Sequence, residues 1–162
     1  MNAAVRIVPF SPDLAPAFEA LNRAWIEQLF AMEEADHKVL RHPLASIIEP
    51  GGQIFFALDG DEPIGTAAAI PSGRGRFELS KMAVTPNQQG RGTGRHLGQA
   101  VIDWARARDA ETLFLLTSSR LPGAIRLYER LGFEHRPLPP VTGYARADVY
   151  MVLSLAGSNV ER

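Results

Sequence analysis

The sequence predicts an α/β fold of the α+β kind: a mixed, mostly antiparallel central sheet flanked by helices, with one parallel strand pair. Three observations carry this expectation. Near the N-terminus Leu14, Phe18, Leu21, Trp25 and Leu29 recur at three- and four-residue steps, the spacing of one helical face. From Gln53 the pattern changes to three apolar runs of strand length separated by glycine-rich turns, which reads as an antiparallel meander. A strand, loop, helix and strand follow, and such a crossover sets its two strands parallel and right-handed.

The elements fall in this order. Ala4 to Val8 reads as a short strand, and Ser11-Pro12-Asp13 supplies capping residues and an early proline for the helix that begins near Leu14. Glu33, Glu34, Asp36, His37 and Lys38 mark a polar break, read as a solvated acidic helix end. A second short helix is expected from Val39 to Ile48, bent or delayed by Pro43, and Pro50-Gly51-Gly52 ends it. Gln53 to Leu58 and Pro63 to Ile70 are strands joined by the hairpin turn Asp59-Gly60-Asp61-Glu62, and a further turn leads to a third strand, Arg76 to Val84. Thr85-Pro86-Asn87 stops that strand. Leu97, Val101 and Trp104 line a helix running to about Arg108, and Thr112 to Thr117 is a buried-type strand. Ala124, Leu127, Tyr128 and Leu131 mark another helix, closed by Gly132. Phe133 to Arg136 and Ala147 to Leu155 are the last two strands, separated by a loop holding Pro137, Pro139 and Pro140.

A chain of 162 residues, 46% of them hydrophobic, has the size of one domain with a sizeable core, so residues 1–162 are read as a single unit. The formal net charge of -1 argues against nucleic acid as a partner, which asks for a cationic surplus. The absence of cysteine excludes disulfides, thiolate metal sites and a cysteine nucleophile, and agrees with a cytoplasmic location. Met1 to Phe10 lack the apolar core of a signal peptide, and no stretch has the length of a membrane span, so no membrane partner is expected. His37, His42, His96 and His135 fall at no recurring ligand interval, and no metal is expected.

The run Gln88-Gln89-Gly90-Arg91-Gly92-Thr93-Gly94-Arg95 joins the third strand of the meander to the next helix. Glycines at alternate positions bring backbone amides close to a ligand with no Cβ in the way. The helix that starts there adds unpaired N–H groups and a partial positive charge, a combination that suits phosphate. Arg91 and Arg95 add mobile cations. A mobile surface turn made soluble by arginine has the same composition. Two phosphate loops are excluded by spacing: no Lys-Ser or Lys-Thr closes a Walker A, and Arg95 stands where the third glycine of G-x-G-x-x-G falls.

In this context the residues resemble a known family. The segment from Glu78-Leu79-Ser80-Lys81-Met82-Ala83-Val84 through Gln89-Gly90-Arg91-Gly92-Thr93-Gly94 is similar to the CoA-binding motif, Gln/Arg-x-x-Gly-x-Gly/Ala, of the GCN5-related N-acetyltransferases (GNAT). Ala124-Ile125-Arg126-Leu127-Tyr128-Glu129-Arg130-Leu131-Gly132-Phe133 is similar to that family's next motif, at a typical distance downstream. The order of elements agrees over nearly the whole chain. The N-terminal helices and the proline loop match no family signature, and in the family such variable parts form the acceptor pocket.

The resemblance implies a GNAT-like sheet whose parallel strands are splayed around a CoA site. It implies an acyltransferase that moves an acetyl group from acetyl-CoA to a primary amine of a small molecule, amino acid or peptide by direct attack in a ternary complex. A homodimer would be in keeping with the family. A non-catalytic module that binds acyl-CoA as a regulatory ligand is the alternative. By resemblance the CoA diphosphate sits on the amides of Gln89, Gly90, Arg91, Gly92, Thr93 and Gly94, with Arg95 beside them. The pantetheine arm then pairs with backbone near Met82, Ala83 and Val84, in a gap between that strand and Thr112 to Thr117. The side chains of Met82 and Val84 also read as plain core.

Tyr128 matches the family tyrosine that protonates the departing thiolate; as a bare helix residue it reads equally as a core aromatic. Many relatives carry a CoA-bonding asparagine three residues before the position of Ala124; this chain has Leu121 there, and Ser119 is the candidate substitute. The base is argued from the residues. An alkyl amine has a pKa of roughly 10 and must lose a proton to attack. Glu78 is the carboxylate on the strand leading to the glycine loop, and period-two geometry aims it at the acceptor side unless a bulge changes its facing. An exposed strand glutamate or an acceptor-binding carboxylate fits the same residue. Glu33, Glu34 and Asp36 are alternative amine ligands. Tyr144, Arg146 and Asp148 form a polar cluster whose default reading is a solvated strand start, with acceptor lining or dimer pairing as alternatives.

Overall fold

In the computed structural model, which describes residues 5–140 and 142–155, the chain runs β1 (Val5–Pro9), α1 (Ala15–Leu29), α2 (Glu34–Arg41), β2 (Gln53–Asp59), β3 (Glu62–Pro71) and β4 (Arg76–Val84). It continues through α3 (Thr93–Ala107), β5 (Thr112–Thr117), α4 (Pro122–Arg130), β6 (Glu134–Arg136) and β7 (Val149–Ser154). Ala4, expected to open the first strand, lies outside the described residues. The strands form one seven-stranded sheet in the order β1-β2-β3-β4-β5-β7-β6. The meander is present with Gly60 at φ 63° in its first hairpin, and β4 and β5 are the parallel pair. No helix among the described residues is long and apolar enough to cross a membrane.

Both faces of the sheet are packed, each with its own core. On one face α3 and α4 bring Leu97, Val101, Ile102 and Tyr128 against Leu79, Leu113, Leu115 and Met151. On the other, Phe18 and Ile26 of α1 and Leu40 of α2 cover Ile54, Phe56, Leu58 and Ala68. Phe18, Ile26 and Ile54 are fully buried, each contributing about 1.5–3 kcal/mol of transfer free energy. α4 ends as its glycine predicts: Gly132 takes φ 106°, Gly132 N–H reaches Glu129 O at 3.0 Å and Phe133 N–H reaches Tyr128 O at 3.0 Å, the paired bonds of a Schellman cap.

The second helix departs from expectation. α2 begins at Glu34, inside the stretch read as a polar break, because Glu33 and Asp36 form a capping box in which the Asp36 carboxylate accepts the Glu33 N–H at 2.9 Å. The span expected to be helical from Val39 to Ile48 is divided at His42 and Pro43, and Leu44–Ile48 makes one wide π-type turn with Glu49 N–H bonded to Leu44 O at 2.8 Å. The last strand starts at Val149, two residues later than predicted.

Two irregularities of β4 position the site. Its pairing with β5 is confined to Arg76↔Thr112, Phe77↔Leu113 and Glu78↔Phe114; past that point no ladder joins the strands. Against β3, Thr66 pairs with Ala83 but Ala68 with Ser80, so Lys81 and Met82 together oppose Ala67, and Lys81 adopts a left-handed backbone, φ 56°. The bulge resets the alternation. Phe77 and Leu79 before it and Met82 and Val84 after it all pack on the α3 side, while Glu78 and Lys81 face the α1 and α2 side.

Candidate active site

The loop after β4 is built as an amide cradle. Gly90 and Gly92 take φ 81° and 85°, and Gly92 caps α3. The first amide bonded back into the helix belongs to His96, whose N–H reaches Gly92 O at 3.0 Å. Among the described residues the N–H groups of Gly90, Arg91, Gly92, Thr93, Gly94 and Arg95 have no protein acceptor. A Cβ at Gly90 would meet nothing within 4 Å, so that glycine serves backbone conformation and leaves the loop open in front. Gly94 and Gly98 serve close approach instead: a Cβ would stand 3.1 Å from Leu127 Cδ2 at the first and 2.6 Å from Leu131 Cδ1 at the second, so α3 and α4 touch through them. Gln89 spends its own N–H on Pro86 O at 3.3 Å, and its side-chain amide donates to Val84 O at 3.0 Å, which ties the loop to the end of β4. Arg91 and Arg95 are exposed. Such an array holds an anion.

Glu78 lies between Ile70 of β3 and Phe114 of β5 in the sheet register, and it is half-buried. The bulge follows it in the strand and leaves its facing unchanged. Burial raises its carboxyl above the usual range, and the positive charge of Lys81 opposes that rise. Tyr128 stands on the opposite face, 9% exposed, its ring set edge-on to Phe133 with centroids 6.2 Å apart. Its hydroxyl meets no hydrogen-bond partner among the described residues, and burial raises it from 10.0 to about 12. The side chains of Met82 and Val84 belong to the core beneath α3, whereas their backbone has no ladder toward β5.

The acidic segment and the final loop correct the reading of both as solvated. Asp36 is fully buried. It accepts Lys81 Nζ at 3.0 Å and Arg146 through both guanidinium nitrogens, at 2.9 and 2.7 Å. Lys81 Nζ also donates to Tyr144 Oη at 2.7 Å and lies over that ring. Glu33 accepts the Ala145 N–H at 3.1 Å and pairs with Arg146 at 3.4 Å, while Glu34 is exposed as expected. Burial by itself would raise the Asp36 carboxyl; the Arg146 hydrogen bonds, the Glu33 N–H and Lys81 override it and bring it from 3.8 to about 2. This network straps the loop before β7 to α2 and to the bulge of β4. Lys81 is the member that the sequence reading passed over, and two successive polar residues, Ser80 and Lys81, breaking the polar-apolar alternation of the strand were the signal for it.

Asp148 accepts the Ser119 N–H at 2.7 Å and its hydroxyl at 2.6 Å, so Ser119 is bound first of all to the protein's own loop. These two bonds lower the exposed Asp148 carboxyl, the hydroxyl most of all.

A profile of the acetyltransferase (GNAT) family matches residues 14–133. Over 94 residues the chain is 30% identical to N-acetyltransferase 8F1 of Rattus norvegicus, a match that covers 55% of this chain and 42% of that protein. The chain spans less than half the length of three curated relatives of Rattus norvegicus that it matches, at 42%, 40% and 47%. A GNAT-family acetyltransferase of Staphylococcus aureus has the same fold with TM-score 0.85 at 18% identity, covering 94% of this chain and 99% of that one. An acetyltransferase of Salmonella typhimurium, solved with its cofactor acetyl-CoA, has TM-score 0.74 at 22% identity, covering 94% of each chain.

Proposed function

The chain belongs to the acetyltransferase (GNAT) family, and on that premise we propose that it transfers an acetyl group from acetyl-CoA to a primary amine of a small molecule, amino acid or peptide, by direct attack in a ternary complex. The observation that carries the reading is the succession of unpaired amides from Gly90 to Arg95 beside a strand pair that parts after Glu78 and Phe114. The amides fit a diphosphate. The edge of β4 from Met82 to Val84 that faces away from β3 and has no ladder to β5 fits the amide groups of a pantetheine arm. Thr93 opens the helix, Gln89 fixes the loop, and Arg91 and Arg95 supply charge toward the phosphates. Ser119 retains oxygen lone pairs for a donor on the coenzyme, its proton being held by Asp148.

Acetyl-CoA supplies the acetyl group as an activated thioester. Glu78 takes the proton of the attacking amine; burial strengthens it as a base, and the charge of Lys81 favours its ionised form. A backbone N–H near Met82 to Val84 polarises the carbonyl. Tyr128, protonated at neutral pH, gives its proton to the sulfur as the C–S bond breaks and the N–C bond forms. One proton thus goes to Glu78 and one leaves Tyr128, and exchange with solvent resets both. The working partners in this reading are acetyl-CoA and an amine, the setting is cytoplasmic, the unit is the single domain 1–162, and the assembly is a homodimer.

Thermal shift with CoA and release of free thiol over an amine panel test the proposal together. Stabilisation by CoA with amine-dependent thiol release supports it. Stabilisation without release from any amine makes the chain a CoA-binding module, and the absence of stabilisation removes the reading altogether.

A further inference from the structure

We infer that the acceptor carries a carboxylate next to its amine and that Arg76 binds that carboxylate, so that the substrate class is a free amino acid. This rests on the acetyl-transfer reading and narrows it.

The charges on the Glu78 side of the sheet are unevenly spent. Three nearby carboxylates are engaged within the protein: Asp36 by Lys81 and Arg146, Glu33 by Arg146 and the Ala145 N–H, Asp148 by Ser119. Lys81 and Arg146 are neutralised in return. Among the described residues the Glu78 side chain makes no hydrogen bond or ion pair, although the charge of Lys81 reaches it, and Arg76 pairs with no carboxylate. Arg76 is half-buried all the same. One of its nitrogens donates to Tyr150 Oη at 3.3 Å, and its guanidinium carbon lies 4.4 Å from the centroid of the Phe114 ring.

The position of that ring makes the argument. Phe114 is the register partner of Glu78 across the parallel pair, and it is 8% exposed, so the guanidinium roofs it. Arg76 and Glu78 are two residues apart on one face of one strand, and the stacking leans Arg76 toward the ring beside Glu78. A free carboxyl group to receive an amine and a free guanidinium to receive a carboxylate are therefore neighbours. A guanidinium held over an aromatic ring keeps its remaining donors in a planar fork, which matches a carboxylate in two places. Partly burying such a cation without a counter-charge is costly unless a ligand supplies one. A peptide N-terminus offers a neutral amide where the acid belongs, and a polyamine offers a second cation that Arg76 repels. The transfer step keeps the balance given above, since Arg76 exchanges no proton.

The test pairs a panel of amino acids with their carboxamides. Calorimetry in the presence of CoA measures binding of the N-acetylated acid and of the N-acetylated amide, and thiol release measures kcat/KM for the unacetylated pair. The acid is expected to exceed its amide by roughly tenfold to a hundredfold in both, the range of one charge-assisted bidentate contact. Arg76→Gln brings the acid down to the level of the amide, and Arg74→Gln, at an exposed arginine in the preceding turn, leaves the preference in place. Equal binding of acid and amide, no binding of either, or a preference that survives Arg76→Gln overturns the inference. Turnover of amines with no carboxylate preference sinks the inference and spares the transferase; Arg76-dependent binding of the acid without turnover does the reverse.

Discussion

Asp36→Asn preserves shape and removes a charge from the most deeply buried ion cluster described here. The Asp36 carboxyl titrates at about 2 in place of 3.8, and this displacement stabilises the fold by about 2 kcal/mol at neutral pH, at roughly 1.4 kcal/mol per pH unit. The substitution also leaves Lys81 and Arg146 buried beside a neutral amide, so the whole loss should reach about 3–5 kcal/mol. The sign follows from the direction of the shift. A carboxyl depressed in the folded state stabilises fully above its unfolded value and loses that contribution as pH falls through its folded value. Urea unfolding of both proteins at neutral pH and near pH 3 provides the assay. The gap between them should narrow by about 1 kcal/mol at the lower pH, with every other acidic group cancelling in the difference. A gap below about 0.5 kcal/mol at neutral pH, or one indifferent to acid, would show that Asp36 is not an ionised hub.

Tyr128→Phe should lower kcat by about a hundredfold with the KM for acetyl-CoA and the melting temperature unchanged, because the hydroxyl it removes bonds to nothing among the described residues. Lys81→Met should move the acidic limb of the kcat/KM profile to higher pH, since the lysine charge holds the Glu78 carboxyl down; a limb that stays in place separates the two residues. Gly98→Ala sets a methyl 2.6 Å from Leu131 Cδ1 and should destabilise by about 1–3 kcal/mol, a loss that Leu131→Ala in the same chain partly relieves in a double-mutant cycle.

What was legible in the sequence was local. The glycines at 90 and 92, the turn at Gly60, the cap at Gly132 and the apolar runs of β2 and β3 each depend on neighbours within a few residues, and each lies where the pattern put it. Glu33 and Asp36 were misread because their partners are remote. Arg146 and Lys81 are brought to them by the fold, 110 and 45 residues away along the chain, and without those partners an acidic run is solvated by default. The late start assigned to α2 has a local cause instead: its capping box uses a glutamate where serine or threonine is the usual sign. The bulge at Lys81 leaves no mark in composition either, since no glycine accompanies its left-handed backbone. Arg76 read as an ordinary strand start until the register set its ring partner opposite Glu78.

The extra residue at Lys81 gives β4 two domains of inheritance. Upstream of it Glu78 faces the α1 and α2 side; downstream, Met82 and Val84 anchor the backbone that borders the glycine loop. On the proposed reading, drift in the first half retargets the protein to a new acceptor without disturbing the second half, which holds the donor. Homologues that lose the insertion would forfeit that independence, because every side chain beyond it would turn over to the other surface.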